Sequence, residues 1–110
     1  MKLNIYGVKD DVTGEFVFTF NSQNDGTMKR VVKSSLLTKE PNVFTRDLKD
    51  KKVYKLGEFE TITGEIKALA PIVYAFSVAE VRMELIEEIK IAKQEAGDPN
   101  PNADEVAKDD

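Results

Sequence analysis

The sequence predicts an α+β fold: two β-hairpins forming a small, mainly antiparallel sheet, one short helix, one long C-terminal helix and a disordered acidic tail. Three observations lead there. Residues 2–9, 15–20 and 53–60 alternate with the period of two that suits a strand with two unlike faces. Two other stretches, beginning near Met28 and Val78, repeat their apolar residues at helical spacing. Between these segments lie clusters of Gly, Asn, Asp, Thr and Pro with the chemistry of turns and helix stops.

The first strand places Leu3, Ile5 and Gly7 on one side and Asn4, Tyr6 and Val8 on the other. Asp10-Asp11-Val12-Thr13-Gly14 supplies a turn in which Gly14 takes a positive φ at no steric cost. Glu15 to Phe20 then returns as a strand, with Phe16, Phe18 and Phe20 expected on one face and in the core, because three rings are the best source of apolar burial in so small a domain. Helix-starting residues fill 21–27, and Met28, Val31, Val32, Ser35 and Leu36 then mark one face of a helix expected over 25–37. Glu40-Pro41-Asn42 stops it, since the residue before a proline is pushed out of the α region. A basic loop is expected over 42–52. Val53 to Glu60 and Glu65 to Ala68 form the second hairpin through Thr61-Ile62-Thr63-Gly64, a turn that echoes Val12-Thr13-Gly14-Glu15 without making a true repeat.

Pro71 is expected to open a connector. Ser77-Val78-Ala79-Glu80 has the capping-box form, in which the serine accepts from the amide three residues on and the glutamate reaches back. The helix it starts carries Val78, Val81, Leu85, Ile89 and Ala92 in one stripe, and Gly97 with Pro99 ends it. One domain over 1–97 and an acidic disordered tail over 98–110 complete the expected organisation.

Composition narrows the chemistry. With no His, no Cys and no Trp among 110 residues, the chain lacks an imidazole base, a thiolate nucleophile and the ordinary zinc ligands. Neither Thr-Gly-Glu unit has the spacing of a phosphate loop. The expectation is a binding protein with no catalytic residues, no metal and no cofactor. The longest apolar run, 69–81, is broken by Pro71, Ser77 and Glu80 and falls short of the roughly 20 residues of a membrane span. No secretory leader is read at the start of the chain, so a cytoplasmic location and no membrane partner are expected.

The net charge of −4 hides a division. From Lys29 to Lys55 nine basic residues face three acidic ones; from Glu80 onward ten acidic residues face four basic ones. The basic middle interleaves cations with rings, the combination that neutralises phosphates while bases stack. Lys29, Arg30, Lys33, Phe44, Arg46, Lys49, Lys51, Lys52, Tyr54 and Lys55 are therefore the candidate contacts for single-stranded nucleic acid. Solvated surface charge explains the same lysines equally well, and Phe44 and Tyr54 also suit a core.

The segments Met1-Lys2-Leu3-Asn4-Ile5-Tyr6, Phe44-Thr45-Arg46-Asp47-Leu48, Tyr54-Lys55-Leu56-Gly57-Glu58-Phe59-Glu60 and Thr63-Gly64-Glu65-Ile66 resemble, in this order, the small nonstructural protein of gokushovirus-type microviruses, phages with circular single-stranded DNA genomes. The resemblance covers about residues 1–72 and does not extend to the long helix and tail. It implies a role in viral single-stranded DNA synthesis or packaging in the cytoplasm of the bacterial host, through DNA or the replication machinery. The alternative is a protein-interaction adaptor that contacts the viral replication initiator or a host replication protein without touching DNA. One continuous positive groove from the first helix to residues 46–55 would favour DNA, and scattered lysines the adaptor. Apolar residues on more than one side of the long helix predict a homodimer through Val78, Val81, Leu85, Ile86, Ile89 and Ile91.

Overall fold

In the computed structural model, which describes residues 1–95, four strands form one antiparallel sheet in the order β2-β1-β3-β4. They are β1 (Lys2–Asp10), β2 (Glu15–Ser22), β3 (Lys51–Glu60) and β4 (Ile66–Ser77), with α1 (Asp25–Leu36) after β2 and α2 (Val78–Glu95) after β4. The fold is α+β, as the patterns predict. The expected end of α2 at Gly97 and Pro99, and the acidic tail, lie outside the described residues.

Both hairpin turns are built alike, which explains their shared sequence. Gly14 and Gly64 adopt φ of 76° and 78°, and their amides donate to the carbonyls of Asp10 and Glu60. The hydroxyls of Thr13 and Thr63 accept from the amides of Glu15 and Glu65 at the same 3.2 Å. The two hairpins join through β1 and β3, where Lys2 to Asp10 pair with Glu60 to Lys51.

One face of the sheet is covered. Tyr6 and Val8 of β1, Val53 of β3 and Phe76 of β4 meet Met28 and Val32 of α1 and Val78 and Val81 of α2 in a single core. Asn24 caps α1 by accepting from the Thr27 amide at 2.8 Å. Tyr6 ties that helix start to the sheet: its hydroxyl donates to Asp25 Oδ1 at 2.6 Å and accepts from Asn4 Nδ2. Burial and the Asp25 carboxylate both disfavour the phenolate, which pushes the Tyr6 pKa up to about 12.

Two sequence expectations are corrected. Pro71 does not open a connector, because β4 runs through it to Ser77 and leads straight into α2. Proline is tolerated there because β4 is an edge strand and the register breaks at that place: Gly57 faces Ala68 and Lys55 faces Val73, so residues 69–72 stand opposite Leu56 alone. The second correction concerns the three phenylalanines, which do not share one face. Val8 pairs with Phe18 but Lys9 with Phe16, so an extra residue, Val17, enters β2 between them. Phe18 and Phe20 stay on the helix side and Phe16 turns to the other. The capping box forms as expected, with the Glu80 amide donating to Ser77 Oγ at 3.1 Å and the Ser77 amide donating to Glu80 Oε1 at 3.0 Å.

Candidate nucleic-acid interface

The ten residues singled out from the sequence fall on different surfaces. Phe44 is 1% exposed and stacks on Phe20 with centroids 5.4 Å apart. Asn42 holds it there: the Asn42 carboxamide oxygen accepts from the Phe44 amide while its nitrogen donates to the Ser35 carbonyl at the end of α1. Phe44 is therefore a core residue and no base can stack on it. Lys51 is also buried, with its ammonium donating to the Arg46 carbonyl at 2.7 Å and facing Asp10. Arg46 and Lys51 border a cleft of about 420 Å³ whose other walls include the carboxylates of Asp10 and Asp47, which offset their charge. The expected basic loop is shorter than predicted, since a 3-10 turn spans Leu48–Asp50 and Lys51 and Lys52 already belong to β3.

The basic side of α1 is engaged by α2. Lys29 Nζ lies 3.2 Å from Glu84, and Lys33 Nζ lies 2.7 Å from Glu88 and 3.5 Å from Glu84. The Glu88 hydrogen bond holds the Lys33 pKa above the ordinary lysine value. Arg30 and Lys49 are exposed, and Lys55 sits opposite Tyr6 on the helix side of β3. The lysines of α1 and the ring of Tyr54 belong to opposite faces of the sheet and do not line one groove.

Tyr54 and Lys52 do come together with residues that the sequence reading passed over. By strand alternation and register, Gly7, Lys9, Phe16, Lys52, Tyr54 and Tyr74 share the face that no described helix covers. Phe16 and Tyr54 pack edge to face at 5.9 Å, and Tyr54 and Tyr74 at 5.6 Å. Lys9 Nζ stands 6.0 Å from the Phe16 centroid and 5.8 Å from that of Tyr54, within cation–π range. Among the described residues Lys9 forms no ion pair, whereas Lys52 pairs with Asp11 and its pKa is raised by that contact. Gly7 makes the surface flat: a Cβ there would come within 2.8 Å of both Leu56 and Phe16, whose side chains lie across it. Phe16 is 41% exposed and Tyr74 48%. The signal for this cluster was present in the sequence as the alternation of β1 and β3, and the bulge at Val17 concealed that Phe16 joins it.

The helix interface expected from the sequence is also divided. Val78 and Val81 are fully buried in the core of their own chain, so they are not available to a partner. Leu85 is half-buried, and Ile86, Ile89 and Ile91 are exposed. Among the described residues no group of three acidic side chains is placed to hold a metal, and no helix is long and apolar enough to cross a membrane.

The architecture is that of a small helix-backed antiparallel sheet with one open, aromatic face. Residues 3–81, well over half of the chain, match the family described as Phage ORF5 protein, and the chain belongs to that family. It is a bacteriophage protein. The matched segment takes in all of the sheet but Lys2, together with α1 and the first turn of α2. No curated protein and no solved structure shows significant similarity to the chain.

Proposed function

We propose that this phage protein is a noncatalytic single-stranded-DNA-binding protein of a gokushovirus-type microvirus, assisting viral single-stranded DNA synthesis or packaging in the cytoplasm of the bacterial host. The observation that supports it is the cluster of Lys9, Phe16, Tyr54 and Tyr74 on the open face. Antiparallel sheets usually set polar side chains toward water, so rings collected on the uncovered side want an occupant. Bases of a single strand meet that need because each has a π-face, and a lysine among the rings meets the phosphates. Duplex DNA hides its base faces and suits the surface less.

Mobility-shift titration against single-stranded and duplex DNA at two salt concentrations tests the proposal. Single-stranded DNA is expected to bind more tightly, and Tyr54→Ala to weaken it by about 1–3 kcal/mol, roughly 5- to 150-fold. Lys9→Gln is expected to lower the salt dependence by about 0.7 of one logarithmic slope unit. Replacing Lys29 and Lys33 by Gln leaves binding unchanged, since those lysines already face Glu84 and Glu88. A folded Tyr54→Ala variant with the parent's affinity sinks the proposal.

A second reading has its own support. The α1 lysines are engaged within the chain, and α2 presents Ile86, Ile89 and Ile91 to solvent beyond the segment matched to the family. Those features favour an adaptor that contacts the viral replication initiator or a host replication protein. The same titration separates the two, because an adaptor leaves single-stranded DNA unshifted at every salt concentration.

A further inference from the structure

The sheet has two edges, and they are finished differently. An edge strand offers a row of unpaired amides and carbonyls, and native proteins blunt it with proline, lysine or bulges. On β4 the device is plain: Pro71 has no N–H to offer, residues 69–72 break the register, and a second break lies between Val53 and Tyr54. β2 has none of this beyond the bulge at Val17. From Phe16 to Asn21 the strand reads Phe-Val-Phe-Thr-Phe-Asn, with no proline, no glycine and no charge. Among the described residues, no backbone group of that stretch bonds to anything but β1. Phe16, Val17 and Phe18 are each more than 40% exposed.

We infer that β2 pairs antiparallel with β2 of a second copy of this chain, giving a homodimer with one continuous eight-stranded sheet. A strand edge is complementary to itself when turned through a two-fold axis normal to the sheet, which is the isologous contact of a symmetric dimer. The sequence suits that operation. The stretch after the bulge, Phe18 to Ser22, pairs regularly with β1 and is straight enough to accept a neighbour. Centring the axis at Thr19 sets Phe18 across from Phe20 on the helix side and Thr19 across from its own copy, aromatic and β-branched pairs that stabilise a sheet. The one charge on the strand, Glu15, then lies near Gln23 of the other copy and meets no like charge.

The same axis leaves the helices of both copies on one side and both open aromatic faces on the other. If the DNA proposal above holds, two Lys9–Phe16–Tyr54 clusters share one surface, and a strand long enough to cross both gains avidity. The dimer does not rest on that proposal and is tested without DNA.

Light scattering behind size exclusion at high micromolar concentration is expected to give twice the 12.3 kDa of one chain. Val17→Lys with Thr19→Lys places two cations on the edge and is expected to give a monomer with the parent's circular dichroism. Ile86→Lys with Ile89→Lys, on the exposed part of α2, is expected to remain a dimer. A monomeric parent, a folded edge variant that stays dimeric, or loss of the dimer through the α2 variant overturns the inference. Should the edge variant fail to fold, hydrogen exchange of the parent decides: β2 amides are expected to exchange more slowly as concentration rises, and exchange independent of concentration overturns the inference.

Discussion

The two faces of the sheet use the same residue types to opposite ends. On the covered face, Phe20, Phe44, Tyr6 and Lys51 are all engaged: the rings pack on one another and on α1, the tyrosine hydroxyl reaches Asp25, and the lysine is held by the Arg46 carbonyl. On the open face Phe16, Tyr54, Tyr74 and Lys9 pack on each other, and among the described residues only Tyr74 of the four also reaches a helix, its hydroxyl donating to Glu80. A phenylalanine or a lysine therefore says little about its role until its face is known. Burial converts a ring into stability, since transfer and cavity terms add when it is removed. Half-exposure leaves it free to change partner.

The sharpest way to break this comparison is to truncate one ring on the covered face. Phe44→Ala is expected to destabilise the fold by about 3–5 kcal/mol, a large part of the roughly 5–15 kcal/mol that holds a domain of this kind together. Denaturant unfolding reads it directly. A loss below about 1 kcal/mol would mean that the loop after α1 is not part of the core.

A smaller effect is expected from Gly7→Ala, which reshapes the open face alone. The new methyl meets only the side chains of Leu56 and Phe16, both partly exposed, and not a backbone atom. The unfolding temperature should stay close to the parent's while single-stranded DNA affinity falls severalfold. Gly57→Ala is the contrast, because there a Cβ meets the Lys67 backbone carbonyl at 2.5 Å and strand pairing must give. Equal stability losses for the two variants would erase the distinction between a side-chain surface and a backbone contact.

The smallest expected effect lies at the junction of β4 and α2. The Ser77 amide and hydroxyl and the Tyr74 hydroxyl all donate to Glu80 and lower its pKa below the ordinary 4.5. A carboxylate whose pKa is lowered on folding adds stability above its unfolded pKa and loses it as pH falls through the folded value. Glu80→Gln is therefore expected to be less stable than the parent at neutral pH, with the gap closing below pH 4.5. Thermal melts across pH 3–7 check it, and a gap that does not change with pH removes Glu80 from the account. Glu60, whose pKa is lowered by the N-terminal ammonium and the Ile62 amide, contributes to the parent's pH dependence in the same direction and is common to both proteins.

Much of the local structure was legible before any coordinates. The start of α1 within residues 21–27, the Ser77 capping box, the two Thr-Gly turns and the strand alternation of β1 and β3 are set by residues within four or five positions of each other, so their chemistry is written in adjacent letters. The α+β class follows from those elements. The site was legible only in part: Tyr54 and Lys52 were named as contacts, while Lys9, Phe16 and Tyr74 were not, and Phe44 was named but is core. Those assignments turn on events that couple distant segments. One inserted residue at Val17 moves Phe16 to the other face, Asn42 draws Phe44 beneath Phe20, and α2 lays Glu84 and Glu88 beside Lys29 and Lys33 across 55 positions of chain. Periodicity reports which residues share a face, but which face is covered, and which cations find a carboxylate, depends on packing between elements and was decided by the tertiary structure alone.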